Sequence, residues 1–232
     1  MKISLWHRLL DFLAPRLCTV CGRRLSPTEL VVCSSCNMYL PRTGFHLHPT
    51  DNTMARFFWG VLPVERAAAL FYYEASSGVS RILYDLKYHD HPEIGRQMGQ
   101  LMAQEFAAAG FFDGIDIIVP VPLARQRQRH RGYNQSMELA RGISGVTGLP
   151  VYSRVVRRTR FDKSQTQLHY RERQENVANV FEVEDLSALR GRHVLLVDDV
   201  VTTGATMAAC GRELLKAGGV SISLLSLGFT KT

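Results

Sequence analysis

The residues with the clearest chemical potential follow one another in the segment VLLVDDVVTTGAT, residues 194–206. Two carboxylates, Asp198 and Asp199, come directly after four apolar residues. The small residues that open the next predicted helix are Thr202, Thr203, Gly204, Ala205 and Thr206. Backbone N–H and hydroxyl donors at a helix N-terminus bind phosphate, and carboxylates beside them accept hydrogen bonds from sugar hydroxyls. The pattern therefore predicts a site for a phosphate with an adjoining ribose diol.

Other interpretations of this segment explain less of it. An Asp that caps a helix accounts for one carboxylate but not for two acids and three threonines in this order. The segment also lacks the Lys of a Walker loop and the glycine spacing of a Rossmann loop.

Four of the five cysteines form a second pattern, C-x2-C-x11-C-x2-C: Cys18, Cys21, Cys33 and Cys36. Two CxxC turns can present four thiolates to one Zn²⁺ in a tetrahedron. The alternatives are two disulfides, which a reducing cytosol disfavours, or a redox CxxC, which needs no second copy. We predict a structural zinc with no open coordination position. Cys210, in a helical pattern, is expected to be a small buried hydrophobic residue.

The positive charge is concentrated in one part of the chain. The formal net charge is +7, and the segment 121–173 holds twelve Lys and Arg residues against three acids. These basic residues fall into two clusters, 125–131 and 154–173. A solvated helix face is the ordinary explanation of a charge run, but few acids balance these clusters. We therefore expect an anion-binding site.

The elements that must position these residues follow an α/β rhythm. A strand is predicted in AAALFYY, and two amphipathic helices follow it, in residues 78–89 and 94–110. From Ile115 onward, apolar runs alternate with helices, which predicts an open, mainly parallel sheet. Ligands bind beyond the carboxyl ends of such strands, so the loops after Pro120, Val156 and Val197 are the candidate site.

Three segments are predicted along the chain. Residues 1–56 form an N-terminal helix and a four-cysteine zinc ribbon, residues 57–114 a strand and helices that are one candidate for a hood, and residues 115–232 the α/β domain. The turn-rich stretch from Pro41 to Pro63 is expected to be a linker.

Composition excludes a membrane-spanning class of protein. Charged residues interrupt every long apolar run, so none reaches the roughly 20 residues that a span requires. The N-terminus has no signal-peptide core, and a cytoplasmic location is expected. Four of its apolar residues fall on one face of a predicted helix: Trp6, Leu9, Leu10 and Leu13. A helix packed on the domain explains this pattern better than a helix on a membrane surface.

The segment 194–206 resembles, position by position, the 5-phosphoribosyl-1-pyrophosphate (PRPP) signature of type I phosphoribosyltransferases. The wider context resembles the ComF family over essentially the whole chain. Besides the double CxxC, it includes LKY at 86–88, VPVPL at 119–123, RGYNQ at 131–135 and the series SQTQL…R…N…F from Ser164 to Phe181.

The resemblance implies a phosphoribosyltransferase-like α/β domain in residues 115–232 and a role for each motif. Asp198 and Asp199 would bind the ribose hydroxyls with help from Mg²⁺, and residues 202–206 the 5-phosphate. The first basic cluster takes the place of the pyrophosphate loop, with candidates Arg125, Arg129 and Arg131. The second takes the place of the mobile loop that closes over PRPP, with candidate catalytic residues Arg157, Gln165, Arg173 and Asn176.

The resemblance also implies two functions. One is a phosphoribosyltransferase that displaces pyrophosphate from PRPP with an unidentified acceptor. The other is a PRPP- or nucleotide-responsive accessory protein in competence and DNA uptake, whose zinc ribbon docks a protein or single-stranded DNA. Any acceptor hood must come from the helices of 64–112 or from the zinc segment. Whether Lys87 and Tyr88 reach the site or only end a helix beside it stays open.

Overall fold

The computed structural model describes residues 15–88, 91–159 and 180–230. The helices are α1 (Ser34–Tyr39), a 3-10 turn (Phe45–Leu47), α2 (Thr53–Phe58), α3 (Gly78–Tyr88), α4 (Pro92–Ala107), α5 (Arg125–Arg131), α6 (Gln135–Thr147) and α7 (Ala205–Leu215). The strands are β1 (Arg66–Tyr73), β2 (Ile117–Pro120), β3 (Val156–Arg158), β4 (Phe181–Val183), β5 (His193–Val201) and β6 (Ser221–Thr230).

Four strands form the parallel sheet predicted from the sequence, in the order β1-β6-β5-β2. A parallel sheet covered on both faces requires nearly continuous apolar strands. The interior residues of β5, Val194–Val197, are accordingly buried, as are Ile222 and Leu224–Phe229 in β6. β5 is central because it pairs with β2 on one side and with β6 on the other.

The helices α4 and α6 pack together at close range because glycines face each other at the crossing. A Cβ on Gly142 would lie 2.1 Å from the carbonyl oxygen of Arg96, and one on Gly99 would lie 2.2 Å from that of Leu139. α6 in turn packs on β2 and β5. The close contact with α4 therefore helps to fix the position of the N-terminus of α6 relative to the sheet.

The runs around Val156 and Phe181 do not join the parallel sheet, contrary to the expectation from their sequence. β3 and β4 form a separate antiparallel pair, with Val156 opposite Val183. An antiparallel pair, unlike a parallel one, needs no crossover connection between its strands. An isolated parallel bridge between Ile118 and Val151 links the preceding segment to β2.

The stretch 41–63 is folded, so the linker prediction was wrong. Several of its apolar residues, including Phe45 and Leu62, are buried in the core. The side-chain oxygen of Asn52 accepts from the Ala55 N–H at 3.0 Å, which caps α2, and Met54 and Phe58 are buried. The preceding residues lie along the free edge of β1, where Arg42 bridges to Phe71. Covering this edge protects an otherwise unpaired strand.

The predicted division at residue 114 does not separate two sheets. β1, from the 57–114 segment, pairs in parallel with β6, with Ala67 opposite Leu224. The segment boundaries themselves stay a prediction.

Within the described ranges, no helix combines the length and the apolar character that crossing a membrane requires.

The glycine contact between α4 and α6 makes a stability prediction. Gly142→Ala should lower the free energy of unfolding by about 1–3 kcal/mol or more, because its methyl group meets the Arg96 backbone. Gly145→Ala, on the same helix but with no atom within 4 Å of its Cβ, is the matched control. It should raise stability by up to about 1 kcal/mol through helix propensity. Chemical denaturation measures both, and equal effects would contradict the packing account.

Candidate functional site

Asp198 and Asp199 lie at the carboxyl end of the central strand β5. The candidate loop was expected to begin after Val197, but β5 continues to Val201 because Val200 and Val201 still pair with β6. The two carboxylates therefore stand on regular strand backbone rather than in a loop. Together with the ends of β2 and α3 they line a cavity of about 160 Å³.

The carboxylate of Asp198 is held by the N-terminus of α6. The hydroxyl of Ser136 donates to Asp198 Oδ1 at 2.8 Å, and the Asp199 N–H donates to the same oxygen at 2.9 Å. The neighbouring Asn134 caps α6 and donates to the Val121 carbonyl at 3.0 Å, which joins this helix end to the end of β2. Desolvation and the adjacent charge of Asp199 raise the pKa of Asp198 to about 7.

The carboxylate of Asp199 pairs with Lys87 from the last turn of α3. The distance from Lys87 Nζ to Asp199 Oδ2 is 2.8 Å, and Oδ1 accepts from the Val200 N–H at 2.7 Å. Lys87 thus reaches the site, which answers the question that the sequence left open. Tyr88, the next residue, packs its ring 5.5 Å from the Arg131 guanidinium.

The predicted phosphate cradle lies between β5 and α7. Gly204 takes a left-handed conformation, with φ of 66°, and caps α7, which begins at Ala205. A Cβ at Gly204 would also lie 2.6 Å from the Phe57 ring. Both the backbone conformation and the lack of space therefore require glycine at this position. Thr202 and Thr203 are exposed, and Thr206 lines the cavity with the two aspartates.

The first basic cluster forms the helix α5 rather than a loop. Arg127 and Arg131, one helical turn apart, line the cavity of the aspartates. Arg129 instead lines an adjoining cavity of about 340 Å³, which shares Lys87 and Arg131 with the first. The sequence prediction had Arg129 and not Arg127. The side chain of Arg125 lies outside the described structure.

The second basic cluster reaches the site through Arg158, which the sequence prediction missed. Arg158 lines the cavity of the aspartates. Arg157 contacts Glu182 at 2.8 Å and Glu184 at 3.3 Å. Adjacent residues on a strand point to opposite faces, so only the orientation of β3 decides between these two arginines. The other three predicted residues, Gln165, Arg173 and Asn176, lie outside the described residues.

The four cysteines predicted to bind zinc are brought together. Their sulfur atoms all lie within 4.8 Å of one another, and Cys21 Sγ and Cys33 Sγ are 3.8 Å apart. A tetrahedron of sulfurs about 2.3 Å from zinc has edges of about 3.8 Å, so the cluster fits a zinc ion. Backbone N–H groups of Cys33 and Cys36 point to the sulfurs of Cys18 and Cys33, which favours the thiolate form. Cys210 is fully buried in α7, as predicted.

The four-cysteine cluster is packed against the beginning of the helix that carries Lys87. The Arg81 guanidinium of α3 donates to the carbonyl of Val20, between the first two cysteines. A Cβ on Gly78 would lie 3.0 Å from both Val20 and Leu40. One helix therefore runs from the cysteine cluster to the cavity of the aspartates.

Metal analysis of the purified protein should find about one zinc per chain. Cys36→Ser should lose that zinc and unfold at a lower temperature, since binding of a structural zinc contributes to folding. Cys210→Ala is the control, because it removes a thiol outside the cluster and should leave the zinc content unchanged. A stably folded, zinc-free wild type would contradict the assignment.

The raised pKa of Asp198 predicts a pH-dependent cost in stability. An aspartate with an unfolded pKa near 3.9 and a folded pKa of about 7 loses stability as the pH rises through that window. Asp198→Asn cannot lose a proton, so its melting temperature should exceed that of the wild type by more at pH 8 than at pH 5. Thermal melts without added divalent cations test this, with the exposed Asp113→Asn as control. The same difference at both pH values would contradict it.

The chain is similar to a known family and to several known proteins. Residues 86–227 match the family model described as the phosphoribosyl transferase domain. DNA utilization protein YhgH of Escherichia coli K12 is 32% identical and aligns over 91% of this chain and 89% of its own length. Competence protein F of Haemophilus influenzae is 34% identical over 48% of this chain and 49% of its own.

Among solved structures, adenine phosphoribosyltransferase from Leishmania tarentolae is 12% identical, with a TM-score of 0.38, over 78% of this chain and 88% of its own. The family model covers more than half of the chain, and YhgH aligns with nearly all of it. The chain therefore belongs to the ComF/YhgH family of proteins with a phosphoribosyl transferase domain.

Proposed function

We propose that the protein binds PRPP and transfers its phosphoribosyl group to an acceptor, with release of pyrophosphate. The observation that carries this proposal is the convergence in one cavity of two carboxylates, a helix N-terminus with Thr206, and several basic side chains. PRPP has the complementary parts, namely a diol, a terminal phosphate and a diphosphate. The phosphoribosyl transferase domain itself implies PRPP binding.

Each part of PRPP has a proposed contact. The ribose hydroxyls donate to Asp198 and Asp199, and the 5-phosphate accepts from the backbone N–H groups and hydroxyls of residues 202–206. The diphosphate lies toward Arg127, Arg131 and Arg158, whose guanidinium groups suit phosphate oxygens because they can bind two at once. Gln165, Arg173 and Asn176 remain proposed residues of the closing loop.

The proposed reaction is a displacement at the anomeric carbon. The acceptor's lone pair forms a bond to C1 as the C1–O bond to the diphosphate breaks, and pyrophosphate leaves with that electron pair. A proton on the attacking atom is released to solvent. Positive charge develops on the ribose ring and negative charge on the leaving group, so the arginines stabilise the transition state by holding the diphosphate.

Magnesium fits the chemistry of this site. Mg²⁺ prefers carboxylate and phosphate oxygens, which Asp198, Asp199 and the diphosphate would supply. When it is bound with PRPP, Mg²⁺ neutralises charge on the diphosphate. The zinc proposed for the four-cysteine cluster has all four positions filled by sulfur and takes no part in the reaction.

The acceptor is proposed to approach beneath a hood from the 57–114 segment. The end of α3 supports this, because it brings Lys87 into the cavity of the aspartates and Tyr88 into the adjoining one. The adjoining cavity, of about 340 Å³, is open and flanked by basic residues of α5. It is large enough for a single-ring acceptor, whose identity is left to experiment.

A second candidate function is an accessory role in DNA use. The names of the relatives, DNA utilization protein YhgH and competence protein F, favour it. In this alternative, PRPP or a nucleotide binds without transfer, and the four-cysteine segment docks a protein or single-stranded DNA. A four-cysteine zinc cluster in place of disulfides suits a cytoplasmic location, which we propose for either function.

Calorimetric titration with PRPP and Mg²⁺ tests the binding site. The wild type should bind PRPP, and Asp198→Asn combined with Asp199→Asn should weaken binding at least about 100-fold, because both hydroxyl acceptors lose their charge. Asp113→Asn, an exposed aspartate distant in sequence from the signature, is the matched control. A wild type that does not bind PRPP would refute the PRPP site and the transferase function.

A screen for pyrophosphate release, with nucleobases and other aromatic ring compounds as acceptors, separates the two functions. Release that requires one acceptor and disappears in the double variant would establish the transferase. PRPP binding that disappears in the double variant, without release for any acceptor, would favour the accessory role.

A further inference from the structure

We propose that the Lys87 ammonium is the resident counter-cation of Asp199 and lowers the affinity of the ligand-free site for divalent metal. The proposal rests on the proposed function, since it concerns the same aspartates. The observation that supports it is a different one, namely the ion pair between Lys87 Nζ and Asp199 Oδ2, at a distance of 2.8 Å.

The pair is largely removed from water. The side chains of Lys87 and Asp199 are 22% and 14% exposed, respectively. Charges in such a place attract each other more strongly than on an open surface, and each destabilises the structure if its partner is removed. Lys87 is therefore part of the electrostatics of the cavity rather than a solvated surface charge.

The position of Lys87 is fixed by the helix that carries it. Leu86 is fully buried, and its carbonyl accepts from the Tyr133 hydroxyl at 2.5 Å. Lys87 lies in the last turn of α3, where the helix dipole favours a cation. The ammonium is thus presented to Asp199 by a helix end that the neighbouring Leu86 anchors in the core.

An ammonium and a divalent cation compete for the same oxygen. Mg²⁺ and Mn²⁺ bind carboxylate oxygens at about 2.0–2.2 Å, a position that an ammonium hydrogen-bonded to Oδ2 blocks. The other oxygen of Asp199 already accepts from the Val200 N–H, and Asp198 Oδ1 accepts two hydrogen bonds. Without Lys87, the two adjacent carboxylates would lack this compensating charge, and a divalent cation would replace it.

The test is a titration of the zinc-loaded protein with Mn²⁺ in the absence of PRPP. The electron paramagnetic resonance signal of free Mn²⁺ measures how much metal stays unbound. Lys87→Met should bind one Mn²⁺ at least about tenfold more tightly than the wild type. Lys87→Gln should also bind Mn²⁺ more tightly than the wild type. If one of the two variants does not fold, the other still tests the proposal. Lys216→Met, which removes the exposed lysine of an ion pair with Glu213 outside this cavity, is the control and should leave Mn²⁺ affinity unchanged.

Adding Asp199→Asn to Lys87→Met should abolish the gain, because it removes the metal-binding charge. The proposal is overturned if neither neutral variant binds Mn²⁺ more tightly, or if the gain persists in the double variant. The PRPP titration described above is an independent measurement. A wild type that fails to bind PRPP removes the proposed function, while the Mn²⁺ result still decides the role of Lys87.

Discussion

The pairing of β5 with a strand on each side is the constraint on which the site depends. Backbone hydrogen bonds to β2 and β6, together with a buried apolar interior, hold this strand in one register. A shift of one residue would turn its buried side chains to the other face. Because the pairing with β6 persists to Val201, Asp198 and Asp199 are placed by the rigid sheet, and the predicted phosphate-binding residues begin immediately afterwards.

This placement concentrates negative charge, and four different elements of the chain compensate for it. α6 supplies the Ser136 hydroxyl to Asp198, α3 supplies the Lys87 ammonium to Asp199, and basic side chains of α5 and β3 line the same cavity. The compensation is incomplete for Asp198, whose pKa rises to about 7. Unfavourable electrostatics of this kind are common at sites that bind charged ligands. In the proposed function, binding of the ribose and a divalent cation would relieve them.

The four-cysteine cluster is connected to the site through the helix α3. It packs on the beginning of α3, whose other end carries Lys87, and α3 is only 11 residues long. A helix of that length spans about 16 Å. Residues 41–49, which follow the cluster, cover the free edge of β1, so the N-terminal segment stabilises both the sheet and the helix that enters the cavity.

The sequence by itself determined those features whose chemistry is local. The cysteine spacing predicted the four-sulfur cluster, and the signature 194–206 predicted the carboxylates and the helix that follows. The apolar runs predicted the four parallel strands, but not that β3 and β4 form a separate antiparallel pair. Only the tertiary structure decided which distant side chains join them. Lys87 rather than Tyr88 meets Asp199, and Arg127 and Arg158 line the cavity in place of Arg129 and Arg157. These choices depend on helix rotation and strand facing, and packing between segments far apart in the chain sets both.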